Sequence, residues 1–227
     1  MSKDEYTIDN QRLNLSYRQN FTFKANNYYL GISSYKSKKI YFYNFKNRNA
    51  NLNEYFILVL NFSPMSYFEL NKKFVKILLV INPTNNNVEL YELPEIFNGS
   101  NIELIPKFIY QEHSSFIHTA LFNPKYSHII ATFSYDCFLH IWNIKKYYKN
   151  DKILFKYNND NCKWEEKGNL LGFCQNNIIK IYDRIKKIII YEYIIDEIPY
   201  GYEFLNEEYI IIVKEKKLIK INIINKK

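Results

Sequence analysis

Residues 112–144 constrain the fold more than any other part of this 227-residue chain. Phe116 through Phe122 form a run rich in β-branched and aromatic residues, and Asn123 and Pro124 break it. A second apolar run covers residues 128–133. A third covers residues 137–144, after the turn Ser134-Tyr135-Asp136. Three short strands split by tight turns predict an antiparallel meander, with a fourth strand expected near residues 153–157.

The polar residues of this stretch stand at spacings that resemble one WD40 repeat, the unit that forms one blade of a β-propeller. His113 takes the loop before the first strand, Asp136 the turn between the second and third, and Trp142 the third strand. Thr132 or Ser134 supplies a hydroxyl, since both share parity on the second strand and face the same side. The expected network has Asp136 holding the imidazole N–H of His113, the imidazole meeting the hydroxyl, and the hydroxyl accepting from the Trp142 indole. A buried Asp or His needs such partners. An acid–base pair of His113 and Asp136 is the alternative reading.

Weaker copies flank this unit. Tyr43, Tyr91, Tyr182 and Ile221 occupy the place of Trp142, and the pattern recurs roughly every 40–50 residues, near the WD40 period. Expected strands lie at 28–32 and 39–45 in the first copy and at 56–62, 75–81 and 88–93 in the second. The fourth copy places them at 162–164, 169–174, 178–182 and 186–195, and the fifth at 201–205, 209–213 and 218–224. The expected units are an N-terminal segment, 1–19, then blades at about 20–56, 57–112, 113–158, 159–198 and 199–227. No run keeps an i, i+3, i+4 period, so almost no helix is expected. A sandwich of ordinary strands is the alternative, and the repeat spacing argues against it. The predicted class is therefore all-β, a WD40-type propeller of about five blades, incomplete or open. A small closed ring is the alternative, and the fifth copy lacks room for its outermost strand.

Hydrophobic content of 47% supports a core. With only 5 glycines, Asn, Lys and Asp must serve many turns. The net charge of +8 permits nucleic acid or anionic lipid as partners, but the lysines are scattered in pairs and not gathered in one block, which disfavours nucleic acid. Cys137, Cys162 and Cys174 show no CxxC spacing, which argues against a disulfide framework or zinc knuckle and for a reducing compartment. The polar start and the short apolar runs predict no signal peptide and no transmembrane segment.

Chemistry is not expected. No glycine-rich phosphate loop is present, and His113, His118, His128 and His140 lack metal-ligand spacing. Cys174 takes a small core position. The expectation is no catalytic residue, no metal and no cofactor.

Several motifs narrow the resemblance to the coronin family. Val88-Glu89-Leu90-Tyr91-Glu92-Leu93-Pro94-Glu95 is similar to a coronin blade that closes on an aromatic, an aliphatic and Pro-Glu. Glu112-His113-Ser114 is similar to the family's Gly-His-Ser. Trp164 with the turn at Gly168, and Ile181-Tyr182-Asp183-Arg184, resemble its tryptophan strand and its Asp-Arg strand end. The resemblance implies a cytoplasmic, cytoskeleton-associated protein that binds actin filaments through a seven-bladed propeller followed by an extension and a coiled coil. The last blades, the extension and the coiled coil have no counterpart here. Arg12 matches the family's exposed arginine and is the candidate actin contact. The expected function is a protein-interaction module with actin filaments as partner, the alternatives being a generic WD40 scaffold or an RNA-binding basic propeller. The oligomeric state is left open.

Overall fold

The computed structural model describes residues 21–25, 29–34, 38–44, 55–60, 68–70, 77–93, 101–145, 148–154, 162–175, 177–196, 199–214 and 217–224. These residues contain twenty strands in five sheets and no helix. The first sheet holds β1 (Phe21–Ala25), β2 (Tyr29–Ser34), β3 (Lys39–Asn44) and β4 (Tyr55–Val59) in consecutive antiparallel order. The second holds β5 (Phe68–Leu70), β6 (Ile77–Asn82) and β7 (Asn87–Glu92). The chain then contributes β8 (Asn101–Glu103), which leaves this sheet and pairs in parallel with β4 at the edge of the first. It returns with β9 (Phe108–Tyr110) beside β7. The third sheet is a four-stranded meander of β10 (Ile117–Phe122), β11 (Ile129–Ser134), β12 (Phe138–Asn143) and β13 (Tyr148–Leu154). The fourth repeats it with β14 (Cys162–Trp164), β15 (Leu170–Gln175), β16 (Ile178–Asp183) and β17 (Ile188–Ile194). The fifth holds β18 (Gly201–Phe204), β19 (Tyr209–Val213) and β20 (Leu218–Asn222).

The sheets stack face to face, with the first strand of each lying innermost, against the first strand of its neighbour. Both faces of an inner sheet are therefore covered, which is why β11 is buried along its whole length and shows no polar alternation. Four apolar layers separate the five sheets. Phe42, Leu58, Val80 and Tyr91 fill the first layer. Leu79, Leu90, Ile130 and Trp142 fill the second. Phe133, Ile141, Trp164 and Phe173 fill the third, and Ile181, Tyr202, Ile210 and Ile221 the fourth. Among the described residues no such layer joins the fifth sheet to the first, so the array is an open one of five blades.

The repeat positions align in space. Tyr43, Tyr91, Trp142 and Tyr182 are each the fifth residue of a third strand, and Ile221 lies one place earlier in its own. In the third and fourth sheets a β-bulge falls at this position, beside Trp142 and Tyr182. Two strand expectations are corrected. The run at 56–62 does not open the second blade: residues 55–59 pair with β3 as the outer strand of the first, so the expected boundary at 56/57 falls inside a strand. The fourth strand of the third sheet is Tyr148–Leu154, earlier than 153–157, because the chain turns at Ile144 and Lys145 and Tyr148 already pairs with Asn143.

Candidate functional site

The polar network of the third sheet lies in the layer between the second and third blades. His113 is buried in the loop after β9. Its Nδ1–H donates to Asp136 Oδ2 at 2.8 Å, and the Thr132 hydroxyl donates to its Nε2 at 2.8 Å. The acceptor-only carboxylate assigns this tautomer. Asp136 also accepts the backbone N–H of Ser114 (3.0 Å) and of Phe138 (3.0 Å). Burial pushes its carboxyl pKa up, but the hydrogen bond and charge of His113 and the two backbone donors outweigh it and hold it below the usual value. Cys137 closes the turn with φ of 68°, in the left-handed region.

Of the two candidate hydroxyls, Thr132 meets the imidazole. Ser134 instead donates to the Ser115 carbonyl (3.0 Å) and accepts from the Asp136 N–H (3.1 Å), tying the loop to the turn. The expected last link is absent. Trp142 stands across from Ile130, while Thr132 stands across from His140. The indole lies flat on Tyr110, with centroids 4.4 Å apart and planes at 7°, and Phe108 stacks beside it. Its Nε1 is buried without an acceptor among the described residues. Stacking on the aromatics of β9 sets the ring plane, and that plane does not aim the N–H at Thr132.

Tyr110 and His140 are the members that sequence reasoning missed. The Tyr110 hydroxyl and His140 Nδ1 are 2.8 Å apart, and the His140 ring stacks on His113 at 4.0 Å. Burial, then the charges of Glu112 and Asp136, push the Tyr110 phenol pKa well up, so it is a proton donor here. The only signal for this pair in the sequence is strand parity: His140 faces the same side as Thr132. A second cluster was also missed. Asn82 Nδ2 donates to the buried Glu89 at 2.8 Å, and the Tyr91 hydroxyl donates to the other oxygen of the same carboxylate.

Both clusters are closed and packed. Among the described residues no group of His, Cys, Asp and Glu could hold a metal ion. The candidate Arg12 lies outside the described residues.

What faces solvent is a set of cationic turns joining the third and fourth blades. Asn123 Nδ2 donates to the Gly168 carbonyl (2.8 Å) of the next blade, and its Oδ1 caps the N–H groups of Lys125 and Tyr126. Gly168 has φ of 70°, and a Cβ there would fall 2.1 Å from Asn123 Oδ1, so the junction requires glycine. Arg184 Nε donates to the same carbonyl (3.2 Å). Its guanidinium and the Lys125 ammonium lie 4.8 and 5.6 Å from the centre of the Tyr126 ring. Nearby His128 is held below the usual histidine range by partial burial, then by the charges of Lys145 and Arg184. Lys125, Lys145 and Arg184 therefore make one positive field on these turns.

No protein-family model matches the chain, and no curated protein matches it in sequence. A structural match is clear. The WD40 domain of Toxoplasma gondii coronin superposes with a TM-score of 0.69 at 14% identity, over 88% of this chain. The fold is a WD40-type propeller. The five blades correspond to 58% of that domain's chain, so they span well under two thirds of it. No helix among the described residues is long and apolar enough to cross a membrane.

Proposed function

We propose that this WD40 propeller is a non-enzymatic protein-interaction module that binds actin filaments, as the coronins it resembles do, in the cytoplasm. The observation that carries the reading is the positive field of Lys125, Lys145 and Arg184 on adjoining blades, which suits the acidic surface of a filament. The family resemblance of the motifs and the coronin WD40 domain among its structural matches support it. The buried network of His113, Thr132 and Asp136 is assigned a structural role, since its groups satisfy one another. Arg12 stays a proposed contact.

Sedimentation with actin filaments across a salt series tests the proposal. Saturable pelleting is expected, weakening as salt rises. Lys125→Glu combined with Lys145→Glu should weaken it about tenfold or more with the melting temperature unchanged. A folded, monodisperse sample that stays in the supernatant overturns the actin reading. Steep salt-dependent binding to RNA without pelleting would assign the same turns to nucleic acid.

A further inference from the structure

The four histidines have different surroundings. His113 and His140 are buried in the layer between the second and third blades, and His118 lies on β10 with its Nδ1 beside the Thr119 hydroxyl. His128 is half-buried in the turn just before β11, among the cationic turns. Its carbonyl accepts the Ile144 N–H at 2.9 Å, which brings Lys145 alongside. The Asn143 side chain caps the Lys145 N–H and fixes that turn. The imidazole meets the Tyr126 ring edge-on, with centroids 6.3 Å apart and planes at 74°. That same ring carries the Arg184 guanidinium and the Lys125 ammonium. Arg184 comes from the next blade, where its N–H donates to the Asn169 carbonyl (2.9 Å) and its Nε to Gly168. The charged groups acting on His128 are therefore Lys145, from the turn between β12 and β13, and Arg184, from the turn between β16 and β17. Both are cations, as is Lys125 on its own turn.

We infer that His128 takes up a proton when an acidic partner docks on these turns, so that docking tightens as the solution is acidified. The inference rests on the reading of these turns as the partner-binding surface and adds how that surface is regulated. In the free chain, burial and then Lys145 and Arg184 all disfavour the imidazolium. Carboxylates that neutralise Lys145 and Arg184 remove the repulsion and bring negative charge against the ring, which favours the charged form. The burial that remains does not decide the outcome. At Asp136 of the same blade, one close partner of opposite charge and a few hydrogen bonds already outweigh burial. Binding and protonation are reciprocal: whatever raises the histidine titration on docking must tighten docking on protonation by the same factor. The sign follows directly. The histidine titrates higher in the complex than in the free chain, so the gain in affinity is complete below the free value and lost as pH rises through the bound one.

Polyaspartate is the probe, because its carboxylates stay ionised throughout the histidine range. Proton NMR of the full chain follows the His128 imidazole, identified by its loss in His128→Gln, with and without saturating polyaspartate. The titration midpoint should move up on binding, and polyaspartate should bind about threefold or more tighter at about pH 5.5 than at about pH 7.5. His128→Gln, which cannot gain the proton, should show no such pH dependence. Lys145→Gln should raise the midpoint of the free chain and shrink the further rise on binding. A midpoint unmoved by bound polyaspartate overturns the inference. So does polyaspartate that fails to bind, or a pH dependence that survives in His128→Gln. Pelleting with actin filaments at the same two pH values, wild type beside His128→Gln, separates this from the actin reading. A His128 shift on polyaspartate without pelleting discards actin and keeps the proton uptake. Pelleting with the same pH profile in both chains keeps the filament and discards the proton uptake.

Discussion

At Asp136 three hydrogen bonds converge on one carboxylate. Its two oxygens accept from His113, Ser114 and Phe138, and truncation leaves a buried imidazole N–H without an acceptor. Orphaning a buried donor costs roughly 1–3 kcal/mol, so Asp136→Ala should destabilise by about 3 kcal/mol once the two backbone donors are counted. Melting curves check this, and they carry a pH signature. Because the folded carboxyl titrates below its ordinary value of 3.8, its stabilisation is complete above that value and lost as pH falls through the lower, folded one. The gap in melting temperature between wild type and Asp136→Ala should be constant above about pH 5 and close progressively below pH 3.8. A gap that persists unchanged into strong acid would show that the loss comes from packing, not from the ionised carboxylate.

The third strand and the β9 aromatics it faces decide what Trp142 does. The sequence pattern assigned its indole a hydrogen bond, but the side chain is held by stacking on Tyr110 and Phe108, and its N–H meets no acceptor among the described residues. Trp142→Phe should therefore cost less than Asp136→Ala, about 1 kcal/mol or less, because lost ring area is offset by no longer burying an unpaired N–H. Thr132→Val should cost more than Trp142→Phe, since it strips the donor from His113 Nε2. Chemical denaturation of the three variants reads the order directly. The reverse order would restore the indole to the network. The same contrast marks how far the sequence could be read. His113, Thr132 and Asp136 were legible because their spacing follows from one turn and one strand. Trp142 and His140 depend on Tyr110, in the outer strand of the preceding blade, and that contact is not written locally. The end of the first blade was misread for a related reason. Ser63-Pro64 imitates Asn123-Pro124, yet what fixes residues 55–59 is pairing with β3. β8 left still less trace, since Asn101-Ile102-Glu103 is too short and polar to announce a strand.

Across the whole molecule, stability follows neighbours. Each blade is too thin to bury its own faces, so its stability resides in the layers it shares, as in other repeat architectures. The third blade shares the layer of Leu90, Ile130 and Trp142 with the second and that of Phe133, Ile141 and Phe173 with the fourth. The fifth shares a single described layer, and its other face carries Val213 and Leu218, which are 39% and 72% exposed. Opening the fifth sheet sacrifices one layer, whereas opening the third sacrifices two and separates the halves of the array. Native-state hydrogen exchange should therefore protect the amides of β11 and β12 most, and those of β19 and β20 markedly less. Phe133→Ala should lower protection on both sides of its layer, in β11 and β15 alike, and leave β6 nearly unchanged, because β6 lies beyond the next layer. Uniform protection across all five sheets would mean that the array opens only as one unit. The layers would then be coupled too strongly for any blade to fray, and a partner held by the turns between the third and fourth blades would stabilise all five sheets equally.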